Sequence, residues 1–99
     1  KTPWFRGAMA EYCVAHSSNV VVKPDNITFA EAASIPLVGM TALQVLKNSG
    51  LKEGGSIFIS GGAGGVGTMA IQLAKHVFKA GLVVTCLLYN LTLPTIYSV

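Results

Sequence analysis

The chain has 99 residues, 52% of them apolar and only 11% charged, against about a quarter charged in an average soluble domain. It is long enough for one small domain and more apolar than such a domain can bury alone. A net charge of +3, from seven scattered Lys and Arg residues against four Asp and Glu, excludes the basic, aromatic-interleaved stripe of a nucleic-acid binder. Cys13 and Cys86 lack C-x-x-C spacing and histidine neighbours, which excludes a disulfide framework or a zinc site. Both read as buried thiols in a reducing compartment.

Lys1 to Arg6 has no apolar core followed by small residues and so does not read as a secretion signal. Trp4 and Phe5 read as packing residues. Gly7 to His16 reads as a glycine turn into a short strand, Ser17-Ser18-Asn19 as a turn, and Val20-Val21-Val22 as a second strand ended by Lys23-Pro24-Asp25-Asn26. His16 lacks a carboxylate placed to orient it, so it reads as a surface residue rather than a base.

Thr28-Phe29-Ala30-Glu31 is a capping-box signature and predicts a helix start. Pro36 predicts that this helix is short, with Ile35 pushed toward extended geometry, and it suits the first turn of a second helix. That helix carries Val38, Thr41, Ala42, Val45 and Leu46 on its apolar side and stops at Gly50. Gly39 and Ala42 are small enough to admit a close neighbour or a ligand.

After the loop Leu51 to Gly55, Ile57-Phe58-Ile59 reads as a buried strand. It delivers Ser60-Gly61-Gly62-Ala63-Gly64-Gly65-Val66-Gly67-Thr68, in which Gly62, Gly64 and Gly67 match G-x-G-x-x-G. Strand, glycine turn and helix in this order form the dinucleotide-binding pattern. Gly62 would permit a tight turn, Gly64 would let a diphosphate approach the backbone, and Gly67 would let the helix pack on the strand. The helix start would offer free amides and its positive dipole end to that diphosphate. A P-loop needs lysine after the last glycine, and position 68 is Thr, which argues against a triphosphatase. The following helix, Met69 to Lys79, places Val66, Ala70, Leu73 and Val77 on one face, with Lys75, His76 and Lys79 in its last turn and Gly81 as its cap. Leu82 to Leu88 reads as the next parallel strand, reached by a right-handed crossover. Uncharged Ala80 to Val99 raises the question of a membrane span; Asn90, Pro94 and the threonines argue against one.

Gly7 to Tyr12, Pro24-Asp25, Phe29 to Leu37, Gly39-Met40-Thr41-Ala42 and Gly61 to Gly67 together resemble the medium-chain dehydrogenase/reductases, most of all the zinc-independent quinone oxidoreductases of the zeta-crystallin-like branch. The resemblance covers residues 5 to 79. It implies an α/β fold: a partial doubly wound (Rossmann) half in residues 35–99, preceded in residues 1–34 by the last strands of a GroES-like β domain. It implies hydride transfer from NADPH, with NADH as the alternative, to a quinone or enone, without zinc. Carried over by motif position, Gly62, Ala63, Gly64, Gly65 and Val66 would line the diphosphate and Gly67 would pack the helix. Thr41 would lie beside the nicotinamide ribose, with helix packing as the competing role. No catalytic side chain is assigned, since a cofactor that carries the hydride leaves the protein chiefly to orient the reactants.

The resemblance fades after Lys79. Tyr89 to Val99 has no helix pattern, and neither an acidic nor a basic residue follows Lys79 to select NAD or NADP. These features predict a piece of such an oxidoreductase, inactive alone. The alternatives are a non-enzymatic product that pairs with a longer relative and an unstable by-product. The expected setting is cytoplasmic, with a mitochondrial one as the alternative; the expected partners are a dinucleotide and a small substrate, with no nucleic acid and with homo-oligomer formation open.

Overall fold

The computed structural model describes residues 7–86 and the backbone of residues 97–98. Lys1 to Arg6, and with them Trp4 and Phe5, lie outside the described residues, as do the last two positions of the expected strand Leu82 to Leu88 and most of residues 89–99. Helix α1 spans Phe29–Ser34, α2 Pro36–Asn48 and α3 Gly65–His76; strands β1 and β2 span Ser56–Ser60 and Leu82–Cys86, and β3 is the pair Tyr97–Ser98. The sheet order is β1-β2-β3. β1 and β2 run parallel, with Ile57 opposite Val83 and Ile59 opposite Thr85. β3 adds antiparallel to β2, Val84 facing Ser98. β1, α3 and β2 thus form one βαβ unit, compatible with part of a Rossmann half.

The expected strands before residue 28 do not form. Residues 7–28 are exposed apart from half-buried Lys23 and Ile27, and their one regular feature is a 3₁₀ turn at Ser17–Asn19. A strand needs a hydrogen-bonding neighbour, and none of the described residues supplies one. For the same reason Cys13 is an exposed free thiol rather than a buried one, while Cys86 is half-buried. His16 caps the 3₁₀ turn, its Nδ1 accepting from the Ser18 amide at 3.3 Å. Lys23 anchors this segment to the start of α1: its Nζ donates to the Pro24 carbonyl at 2.7 Å and to the Ile27 carbonyl, and sits 5.2 Å from the Phe29 ring centroid.

The capping box forms as expected. The Glu31 amide donates to Thr28 Oγ1 at 3.2 Å, and the Thr28 amide donates to Glu31 Oε2 at 2.8 Å. Ile35, however, is helical, with φ −87° and ψ −45°. Its carbonyl accepts from the Gly39 amide at 2.7 Å, so Ile35 opens α2 and the bond outweighs the steric bias that Pro36 imposes. Pro36 occupies the first turn of α2, and Gly50 follows its end at φ +72°.

Packing builds outward from the sheet. α3 touches both β1 and β2, α2 lies on α3, and α1 touches α2. The core is Leu46, Ala74, Ala80 and Val83, with Ile57, Ile59, Ile71 and Phe78 packed against it. Of the expected Val66–Ala70–Leu73–Val77 stripe, Ala70 is buried and Leu73 packs against the core, whereas Val66 and Val77 are exposed; Gly67 and Ala74 complete the buried side of α3. Only residues with little or no side chain fit where the helix lies this close to the strands. Among the described residues the helices cover one face of β1, so the expected doubly wound cover is seen on one side. Phe58, expected to be buried, is 61% exposed on the other.

α3 begins at Gly65, inside the glycine stretch, and ends at His76, three residues before Lys79. The left-handed residue after it is Lys79 (φ 52°), not Gly81. Gly81 is small for another reason: a Cβ there would lie 2.5 Å from the Gly54 carbonyl oxygen. The exposed Lys79–Glu53 pair, 3.6 Å apart, contributes little in water.

Two outcomes follow. Leu46, 1% exposed, is the largest core side chain that α2 contributes, so Leu46→Ala is expected to cost about 2–5 kcal/mol in urea unfolding. The Thr28 amide, and then its hydroxyl, hold the Glu31 carboxyl below the usual carboxylate range. A pKa lowered by folding stabilises the fold above the unfolded value, and that stabilisation is lost as pH falls through the lowered one. The start of α1 is therefore expected to fray on acidification below the usual carboxylate range, as read from the Thr28 and Glu31 amide shifts, and Glu31→Ala removes that dependence.

Candidate functional site

The glycine turn is built by β2 as much as by β1. Its first two amides, of Gly61 and Gly62, donate to the Cys86 carbonyl at 3.0 and 3.2 Å. Thr85, 7% exposed, donates its hydroxyl to the Ile59 carbonyl at 2.7 Å. The turn is thus pinned to the carboxyl end of the neighbouring parallel strand, 26 residues later. Ligands of open α/β sheets bind at this end of the strands.

Within the turn the glycines divide the work differently from the sequence expectation. The left-handed residue that reverses the chain is Gly61, at φ +72°, one place before the motif begins. Gly62 is instead required by packing, since a Cβ there would fall 1.9 Å from Thr85 Oγ1. Gly67 takes its expected role: a Cβ would lie 2.2 Å from the Gly61 carbonyl oxygen and 2.7 Å from Gly62 Cα. The first turn of α3 therefore rests on the backbone of the loop that precedes it. Gly64 and Gly65 are exposed, and a Cβ on Gly64 would meet only the Gly61 oxygen, at 3.3 Å.

The Gly64 amide closes the turn onto the Gly61 carbonyl at 2.9 Å, and the Thr68 amide makes the first helical bond, to the Gly64 carbonyl at 2.8 Å. The amides of Ala63, Gly65, Val66 and Gly67 have no acceptor among the described residues. No side chain caps this helix end and no acidic residue lies in its first turn, so the positive end of the dipole is uncompensated there. Lys75 and His76 occupy the opposite end. Such a set of donors suits an anion. Ala63, Gly64, Gly65 and Val66 are exposed, whereas Gly62 and Gly67 are buried; the turn brings all six expected residues together, four of them open to solvent.

Thr41 lies elsewhere, on α2, with its exposed hydroxyl donating to the Leu37 carbonyl at 2.8 Å. It stands one helical turn beyond Val38, whose Cγ1 lies 3.1 Å from the position a Gly65 Cβ would take. Thr41 thus belongs to the helix that borders the turn, and no hydrogen bond joins it to the turn among the described residues. Sequence reasoning missed Gly61, Thr85, Cys86 and Val38. The positive φ of Gly61 leaves no trace in a run of glycines, and the others reach the turn only through folding.

Beside α2 and α3 a cleft of about 670 Å³ is lined mainly by apolar residues, among them Val20, Val21, Ile35, Met40, Leu43 and Met69, with Gly39 opening onto it. No residue of the glycine turn lines it. Among the described residues no three His, Cys, Asp or Glu side chains converge, and no helix is long and apolar enough to cross a membrane. The first residues of the uncharged carboxyl-terminal stretch are instead strand β2.

No protein-family profile matches the chain. Individual relatives do. The chain is 51% identical over 77 residues to 2-methylene-furan-3-one reductase of Solanum lycopersicum, covering 78% of this chain and 20% of the relative. It is 46% identical over 77 residues to a chloroplastic NADPH-dependent alkenal/one oxidoreductase of Arabidopsis thaliana, with the same coverage of 78% and 20%. A chloroplast envelope quinone oxidoreductase homolog of the same plant is 42% identical over 86 residues, 81% of this chain and 26% of the relative. These relatives are quinone and enone oxidoreductases, and over the residues matched the likeness is consistent with the medium-chain dehydrogenase/reductases. The chain spans about a fifth to a quarter of the length of these relatives. Among the described residues, the glycine turn is the feature whose acceptor-free amides suit an anion.

The turn also supplies a test of its own construction. Gly67→Ala sets a methyl group against backbone that cannot step aside, whereas Gly64→Ala meets one oxygen at ordinary to tight distance. Gly67→Ala is expected to lower stability by about 1–3 kcal/mol or more, and Gly64→Ala by much less, as read from thermal unfolding.

Proposed function

We propose that this chain carries the diphosphate-gripping part of an NAD(P)H-dependent oxidoreductase that reduces an enone or quinone. The observation that supports this most directly is the set of acceptor-free amides at Ala63, Gly65, Val66 and Gly67 around an exposed, side-chain-poor turn. Their fit to a dinucleotide is chemical: N–H donors and a positive helix end meet a two-phosphate bridge, and bare Gly64 lets it approach the backbone. When bound, NADPH supplies the hydride. The chain's own residues then bind and orient. The open amides would hold the diphosphate, Gly62 and Gly67 would keep the turn pressed on the sheet, and Thr41 would flank the ribose from α2.

The choice of NADPH over NADH rests on the relatives, one of which is named for NADPH; that zinc takes no part rests on the family resemblance alone. Residues 35–99 would be part of the nucleotide domain, and residues 1–34 would be its link to a GroES-like substrate domain. Chloroplastic relatives set a plastid beside the cytoplasmic and mitochondrial alternatives.

A second reading is favoured by the open apolar surface. Phe58, Leu37, Tyr12, Val21 and Val22 are each more than 60% exposed. A chain with these faces uncovered would associate with a longer relative and need not turn over substrate itself. The isolated chain is accordingly expected to bind NADPH weakly and to show no quinone-dependent oxidation of it. Fluorescence titration with NADPH and NADH, together with absorbance at the reduced-nicotinamide band in the presence of a quinone, checks both. Turnover by the purified chain would show that it is active alone. No binding, with co-purification of a longer homologue, would favour the association reading.

A further inference from the structure

We infer that Val38 is a positioning residue of the glycine turn, setting from α2 where the donor amides of Gly65 and its neighbours stand. This rests on the nucleotide reading of the turn given above. The observation behind it is separate: Val38 Cγ1 lies 3.1 Å from the point that a Cβ on Gly65 would occupy. Ordinary carbon–carbon contact begins at about 3.5 Å. A side chain at position 65 would therefore crowd Val38, which would have to give by a few tenths of an ångström.

Gly65 is neither in the left-handed region nor pressed against the Thr85 side chain or the loop backbone as Gly62 and Gly67 respectively are. Its one close neighbour is the valine. Gly65 is also the first residue of α3, and its amide is among those without an acceptor. Any change in the gap between Val38 and Gly65 moves that amide directly. The rest of the turn is held from beneath by the Cys86 carbonyl and Thr85. Val38 is the side chain that presses on Gly65 from α2.

Val38 is half-buried, and α2 is itself fixed by buried Ala42 and Leu46, one and two turns further on. The route from the core to the donors thus runs from Leu46 and Ala42 through α2 to Val38 and then to Gly65. Thr41 shares the side of α2 that carries Val38, three residues on, so a shift of α2 away from the turn would carry Thr41 with it.

The test moves one methyl group across the contact. Gly65→Ala adds a methyl that crowds Val38, Val38→Ala removes the wall, and Val38→Ala/Gly65→Ala exchanges one for the other. NADPH affinity and thermal stability are measured for the full chain and the three variants. Each single substitution is expected to weaken NADPH binding about three- to tenfold and the double variant to return within about twofold of wild type, a coupling typical of residues in contact. Affinity losses that simply multiply in the double variant would overturn the proposal, and so would recovery of stability without recovery of affinity. Failure of the wild-type chain to bind NADPH overturns the nucleotide reading, and the functional part of this proposal with it. Binding by wild type with no loss in Gly65→Ala overturns the positioning role alone.

Discussion

The structure depends on one contact between two pieces of backbone. The first turn of α3 lies on the peptide units of Gly61 and Gly62 so closely that a methyl group at position 67 would overlap a carbonyl oxygen. Close-packed backbone cannot relax around an added atom as a side chain can, so this approach fixes the angle at which α3 leaves the sheet. From that follow the small residues along its buried side, Ala70 and Ala74, and the seat they leave for Ile57, Val83 and Leu46. The same contact aims the helix start outward with its amides unspent.

The unspent amides make the region electrically positive without any positive side chain. Buried donors left unpaired in a finished fold are costly, but Ala63, Gly65 and Val66 stand exposed, where water or an anion can reach their amides, and only Gly67 of the four is buried. The helix has no acidic residue in its first turn and two basic ones in its last, so its ends are arranged for an external negative group at the start. Among the described residues, the β1-α3-β2 unit holds this site and little else of a dehydrogenase. That agrees with a chain that spans about a fifth of its first relatives and leaves one face of β1 open at Phe58.

Where sequence patterns are local, they were legible. The Thr28–Glu31 box, the Pro36 helix start, the Gly50 stop and the β1–turn–α3 order all rest on residues within a few positions of one another, and each formed. The family resemblance was legible too, because several short motifs occurred in order. Two local expectations failed, Ile35 being helical rather than extended and Lys79 rather than Gly81 left-handed after α3; the other failures were of expectations that need a distant partner. The stretch Gly7 to Val22 has the alternation and β-branched residues of strands, yet pairing is what makes a strand. Phe58 sits in a run that reads as buried, but burial on both faces requires a second layer. Val66 and Val77 satisfied helical periodicity and lost to Gly67 and Ala74, because distance to the sheet, not hydrophobicity, set the facing side.

The sequence by itself determined that a glycine turn with G-x-G-x-x-G spacing would join a strand to a helix, since spacing and residue type act along the chain. Only the tertiary structure decided which glycine does which task. Gly61 reverses the chain and Gly62 yields to Thr85, while Gly64 spends its amide and Gly65 yields to Val38. The roles of Gly62 and Gly65 are settled by side chains more than 20 residues away, that of Gly61 by a backbone angle and that of Gly64 by the Gly61 carbonyl within the turn, and none of these leaves a mark in the order of amino acids.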